Sequence, residues 1–274
     1  MTSAAVIVGS ASGIGLALGT HLAKRGWRVV LADIEADKAE ARASVLRAQG
    51  HDAVAHVADV VDPDAMERLA EFAFARFGAV GLLVNNAGVG AGGPLHKVKP
   101  EMWRWTFAVN VDGIYHAVRA FAPRMLAQGA PARIVNTASE HALGLSARGG
   151  SITAYTASKH AVLGLSDGMR RDYAGTNIAV SVVCPGLVAT DIWNAQRNRH
   201  AQFGGPREAP PEVAAGMAAG LSADTAAARI LDGIDAGEFL ILTHGSDIAE
   251  VAGPRMAEVN AALARFRERY GESA

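Results

Sequence analysis

The chain has 274 residues, half of them apolar, and 26 Lys and Arg against 27 Asp and Glu give a formal net charge of −1. That length can bury a full core in one α/β domain spanning 1–274, and the balanced charge, with no run of Lys or Arg, argues against nucleic acid as a partner. A single cysteine, Cys184, excludes an internal disulfide; with no basic, apolar leader at 1–8 and no apolar run near the ~20 residues of a membrane helix, a cytoplasmic protein without a membrane partner is expected.

In chain order, short β-branched runs alternate with longer amphipathic stretches. Strands are predicted at 4–8, 28–33, 53–57, 82–85, 133–137, 178–184 and 239–243. Most are apolar throughout rather than alternating, as strands covered on both faces are. Helical patterns fill the gaps, among them 14–25, 63–77, 103–126 and 154–173. Repeated β-then-α units with right-handed crossovers predict a doubly wound parallel sheet of about seven strands, Rossmann-like, with helices on both faces. The stretch 194–220 is irregular, with Gly204, Gly205, Pro206, Pro210 and Pro211. It follows a strand end, where open α/β sheets bind ligands, and reads as a substrate lid at about 191–220 rather than a disordered loop. A helical extension at 247–270 carries apolar Ile248, Val251, Met256, Val259, Leu263 and Phe266, with Gly253-Pro254 expected to break or kink it.

The first strand runs into Gly9-Ser10-Ala11-Ser12-Gly13-Ile14-Gly15, and a helix follows. Glycines allow a tight turn and close backbone approach to a pyrophosphate, while the helix N-terminus offers free N–H groups and positive potential. Asp33 closes the second strand, 18 residues after Gly15. A carboxylate there either accepts hydrogen bonds from the adenosine ribose hydroxyls or caps the next helix. The ribose reading is preferred. With Ile34 next and Ser-Ala-Ser at 10–12, no cation is in place for a 2′-phosphate, so NAD is expected over NADP.

Gly9-x3-Gly13-Ile14-Gly15, Asn85-Asn86-Ala87-Gly88, Asn110, Ser139, and Tyr155-Thr156-Ala157-Ser158-Lys159 together resemble the short-chain dehydrogenases/reductases, and Pro185-Gly186 with Val188 and Thr190 extends the likeness over 3–191. The resemblance implies a catalytic tetrad of Asn110, Ser139, Tyr155 and Lys159. It implies cofactor contacts at Gly9, Ser12, Gly13, Ile14, Gly15, Asp33, Ile34, Asp59, Val60, Asn86, Ala87, Gly88, Tyr155, Lys159, Pro185, Gly186, Val188 and Thr190. Within that set, Asp59 with Val60 matches the adenine contact, and Val188 with Thr190 the carboxamide contacts. It further implies sheet order 3-2-1-4-5-6-7 and a homo-oligomer, tetramer or dimer. Three departures stand out: Val8 replaces the usual Thr, Thr137-Ala138-Ser139 replaces a serine run, and extra residues around 148–151 lengthen the Ser139–Tyr155 gap.

The chemistry these residues imply is oxidation of a secondary alcohol, or reduction of its ketone, in a small-molecule substrate. The cofactor carries the hydride and the protein handles the proton. A tyrosine hydroxyl near pKa ~10 is a poor base, and a nearby ammonium is expected to lower it. Tyr155 and Lys159, four residues apart on a helix, share one face. Ser139 is placed to hold the substrate oxygen, and the resemblance gives Asn110 a water that links Lys159 to solvent. The substrate pocket is expected from 140–152, 186–220 and 90–95, with Leu143, Leu145, Trp193 and Phe203 favouring a fairly apolar, uncharged substrate. Glu140 and His141 either line it or lie on a solvated loop. Trp103 and Trp105 read as packing or interface residues. The scattered histidines form no metal cluster. The alternatives are a catalytically silent NAD-sensing protein, against which the intact tetrad speaks, and a non-redox epimerase or lyase.

Overall fold

Seven parallel strands form the centre of the computed structural model, which describes residues 4–90, 92–145, 150–209 and 216–271. They are β1 (Ala4–Val8), β2 (Arg28–Asp33), β3 (Ala53–Val57), β4 (Leu82–Asn85), β5 (Ala132–Thr137), β6 (Ile178–Cys184) and, after two short strands described below, β9 (Leu240–Leu242). Their order is β3-β2-β1-β4-β5-β6-β9. The doubly wound, Rossmann-like architecture and the strand order are as the sequence implies.

The unbroken apolar strands follow from two cores. Along β1, Ala4, Val6 and Val8 face one core and Ala5 and Ile7 the other. The first core is closed by α3 (Pro63–Phe77) and α5 (Gly113–Ala127), through Met66, Leu69, Phe77, Phe121 and Met125. The second is closed by α1 (Gly13–Lys24), α2 (Ala36–Ala48) and α7 (Ala223–Asp235), through Leu18, Leu22, Leu46 and Ile230. Helix starts follow local chemistry. Asp62 caps α3 by accepting the Asp64 N–H at 2.9 Å, and Pro63 fills the first helical position, where no N–H is needed.

Two expectations are corrected. The predicted helix 103–126 is divided: α4 (Pro100–Phe107) and α5 are joined by a π-helical turn at Ala108–Asp112. Gly253-Pro254 does not break the C-terminal helix; α8 runs continuously over Ser246–Tyr270 with Pro254 inside it. The region after β6 is more ordered than its composition indicates. Single-turn helices occupy Asp191–Asn198 and Ala201–Phe203. The short strands β7 (Val188–Ala189) and β8 (Leu221–Ser222) pair in parallel, so the two feet of the segment are joined. Pro210 and Pro211 lie outside the described residues, as do 146–149 in the long gap before Tyr155. No helix among the described residues is long and apolar enough to cross a membrane.

The order β2-β1-β4-β5 reverses direction between β1 and β4, and ligands bind at the carboxyl ends of strands beside such a switch. Phe121, fully buried on α5, anchors the first core. Phe121→Ala should lower the unfolding free energy by about 3–5 kcal/mol in urea titration.

Candidate active site

At the end of β1 the chain turns at Gly9 with φ +84°. Its N–H donates to the Ala32 carbonyl at 2.8 Å, and the Ser10 hydroxyl donates to the same oxygen at 3.1 Å. Asn86 Nδ2 donates to the Gly9 carbonyl at 2.8 Å. A Cβ on Gly9 would stand 2.5 Å from the Ala87 nitrogen, and one on Gly15 would stand 2.1 Å from the Gly9 oxygen. The cradle therefore admits backbone only. Helix α1 starts beside it with no acidic residue in its first turn and no side-chain cap from Ser12, leaving early N–H donors for an anion. This arrangement fits a pyrophosphate.

Asp33, at the end of β2, accepts the Ala11 N–H at 2.8 Å and the Glu35 N–H at 3.0 Å. Its carboxylate bridges loop and strand end; the residue at the N-cap of α2 is Glu35, not Asp33. Arg197, from the segment after β7, grips Glu35 with Nε at 3.2 Å and Nη2 at 2.6 Å, and Lys38 Nζ adds a contact at 2.6 Å. Burial alone would raise Glu35, but Arg197 and Lys38 outweigh it and hold its carboxyl below the ordinary range. Asp59 accepts the Val61 N–H at 3.0 Å and meets His200 Nε2 at 2.6 Å. The sequence reading, which looked for cations only at 10–12 and 34, missed Arg197, Lys38 and His200.

At the other end of the cleft, α6 (Thr153–Asp172) carries Tyr155 and Lys159 one turn apart, with Nζ 5.6 Å from the Tyr155 ring centroid. Tyr155 stands near Ser139, a buried residue just past β5 whose hydroxyl accepts the His141 N–H at 3.3 Å. The His141 ring meets Tyr155 edge-on at 5.8 Å and is held by Thr156 Oγ1 at 3.2 Å. Lys159 Nζ donates to the Thr137 carbonyl at 2.8 Å. Asn110 is fully buried in the π-helical turn. Its Oδ1 accepts the Val89 N–H at 2.8 Å, and its Nδ2 donates to the Val89 carbonyl at 3.0 Å and to Ser158 Oγ at 2.9 Å. Both amide hydrogens are thus engaged in fixing the β4 loop and α6.

The electrostatics depart from the sequence expectation. Tyr155 keeps part of its surface open to the cleft, yet burial pushes its hydroxyl above the ordinary range, with a lowering from the nearby Ser139 side chain and a raising from the Glu140 charge. Burial brings Lys159 down to about 8 and pushes the Cys184 thiol up to about 12. Desolvation governs Tyr155, and the lowering expected from the Lys159 ammonium does not contribute.

All the site residues expected from the sequence except Gly15 and Asn110 line one continuous cavity of about 730 Å³. Gly15 instead packs α1 on Gly9, and Asn110 stands behind the wall. Glu140 and His141 line the cavity, with Trp193, Ile152, Leu187 and Met217 as apolar wall. Leu143, Leu145 and Phe203, expected in the pocket, do not line it; Phe203 packs against the first core. Trp105 is a core residue whose surface also reaches the cavity, whereas Trp103 stacks on Phe107 at 4.5 Å. Among the described residues no group of three His, Cys, Asp or Glu could hold a metal ion.

A backbone cradle that fits a pyrophosphate, continuous with Ser139, Tyr155 and Lys159 at the carboxyl ends of a parallel sheet, is the arrangement of an α/β nucleotide-dependent oxidoreductase. The short chain dehydrogenase family profile matches residues 3–201. The 1-deoxy-11-beta-hydroxypentalenate dehydrogenase of Streptomyces avermitilis is 38% identical over 270 residues, covering 98% of this chain and 93% of the relative. Its Streptomyces exfoliatus counterpart is 44% identical over 193 residues, covering 70% of this chain and 69% of the relative. A crystal structure of a short chain dehydrogenase/reductase from Burkholderia phymatum in complex with NAD superposes with a TM-score of 0.88 at 35% identity, covering 95% of both chains. The chain belongs to the short-chain dehydrogenase family, oxidoreductases of hydroxyl and ketone substrates that use a nicotinamide cofactor.

Because the folded-state pKa of Lys159, about 8, lies below its ordinary 10.5, burying the ammonium costs stability below about pH 8, and the cost fades as pH rises towards 10.5. Unfolding titrations of Lys159→Met against the parent should therefore show their difference moving in the parent's favour across that interval.

Proposed function

We propose that the protein oxidises a secondary alcohol, or reduces the corresponding ketone, with NAD(H), and that Tyr155 is the proton acceptor and donor. The observation that carries this reading is that Ser139, Tyr155 and, one helical turn on, buried Lys159 line one cavity continuous with Asp33. Bound nicotinamide supplies the two-electron acceptor or donor. Ser139 and Tyr155 hold the substrate oxygen between them, which fixes orientation and stabilises developing negative charge. Tyr155 takes the hydroxyl proton during oxidation and returns it during reduction. Lys159, at about 8, exchanges protons readily near neutral pH and is the next group along the helix. Asn110 acts as a positioning residue, through Val89 and Ser158.

Support for NAD comes from Asp33, held by two backbone N–H groups at the ribose end, and from the relative bound to NAD. The apolar wall of Trp193, Ile152, Leu187 and Met217 favours a largely apolar substrate, and the 1-deoxy-11-beta-hydroxypentalenate dehydrogenases are named for a substrate that carries a hydroxyl. The segment 191–220 serves as lid. The exposed apolar row Met256, Val259, Leu263 and Phe266 on α8 supports self-association.

Tyr155→Phe should lower kcat for alcohol oxidation by about 10²–10⁴-fold, with NAD affinity by fluorescence titration unchanged within about threefold. Turnover retained in Tyr155→Phe would overturn the proton assignment.

A further inference from the structure

The adenosine end of the cleft contains more charge than Asp33 alone. Glu35, two residues on, holds two cations. Arg197 closes on it with Nε at 3.2 Å and Nη2 at 2.6 Å, and Lys38 Nζ lies at 2.6 Å. The Arg197 and Glu35 side chains are only 20% and 16% exposed, so solvent screens their pairing less than that of a surface pair. Asp33, Ile34, Glu35 and Arg197 line the same cavity. Lys38 is not itself part of the lining and reaches Glu35 from beside it.

Arg197 is also held independently of Glu35. Its Nη1 donates to the Asn194 carbonyl at 2.9 Å, and the neighbouring His200 meets Asp59 at 2.6 Å. The segment is tied to the body at His200, and Arg197 is bonded to the segment's own Asn194, so loss of the Glu35 charge leaves the guanidinium beside the cavity. A guanidinium and an ammonium released together are the donor set that binds a phosphate ester, the former bidentate and the latter as a point charge.

We propose that Glu35 is a specificity-determining residue: by occupying Arg197 and Lys38 it prevents an arginine–lysine pair from receiving the 2′-phosphate of NADP. The proposal rests on the NAD reading above and deepens it. Asp33 disfavours the phosphate by its own charge, whereas Glu35 does so by removing the groups that would bind it. One substitution at Glu35 therefore does more than delete a negative charge, because it also creates a site.

The test is isothermal titration calorimetry of the full chain with NAD, NADP, 5′-AMP and 2′-AMP. Glu35→Gln should tighten NADP about tenfold and shift 2′-AMP relative to 5′-AMP by a similar factor, with NAD altered less than about threefold. Glu35→Ala, measured alongside, should behave the same. Adding Arg197→Met and Lys38→Met to Glu35→Gln should return NADP affinity to the parent value. NADP affinity within about twofold of the parent in both Glu35 variants overturns the proposal, as does a gain that survives loss of Arg197 and Lys38. The parent's own NAD-to-NADP ratio tests the NAD reading separately: a parent that already prefers NADP overturns that reading whatever the variants do.

Discussion

The rest of the site depends on the stacking of backbone on backbone at Gly9. Its N–H is held by the Ala32 carbonyl, its own carbonyl is held by Asn86, and its α-carbon faces the Ala87 backbone with no room for a methyl group. These contacts join the ends of β1, β2 and β4. They fix the distance between the glycine loop after β1 and the β4 loop that leads to Gly88, itself close to Asn110 Oδ1 and Lys159 Nζ. Hydrogen bonds and van der Waals exclusion act together here, and neither could be replaced by a larger side chain elsewhere in the sheet.

The reactive end is governed by the opposing effects of dehydration. Burying Lys159 weakens its hold on the proton, and burying Tyr155 strengthens that of the phenol. Their proton affinities, nearly equal in water at 10.5 and 10.0, are thereby driven apart, Lys159 falling to about 8 while Tyr155 rises. Cys184, behind them, stays a neutral thiol under the same dehydration and adds no charge.

Much of this was legible in the sequence because it is local. Strands covered on both faces read as continuous apolar runs, and the bounds of β1, β2, β3, β4 and β6 match those runs. Tyr155, Lys159 and the glycine loop each depend on short spacing. The π-helical turn at Ala108–Asp112 was not legible, because the apolar period continues through it and only the bonds from Asn110 to Val89 reveal the change. The Arg197–Glu35 and His200–Asp59 pairs span 162 and 141 residues, and nothing local announces either of them. The tyrosine pKa was misjudged for a related reason: charge proximity can be inferred from helical spacing, but depth of burial depends on the whole packed domain.

The two-residue ladder between β7 and β8 has a mechanical meaning. It brings Val188 beside Leu221 and Ala189 beside Ser222, so the long excursion between them begins and ends at one point of the body. A tethered loop of this kind has already met the entropy of bringing its ends together, a term that grows only slowly with length. Residues can therefore be added to or removed from its far side with little effect on the sheet. Divergence among related chains can accumulate there as a change of shape over the cleft, while the machinery beneath keeps its geometry.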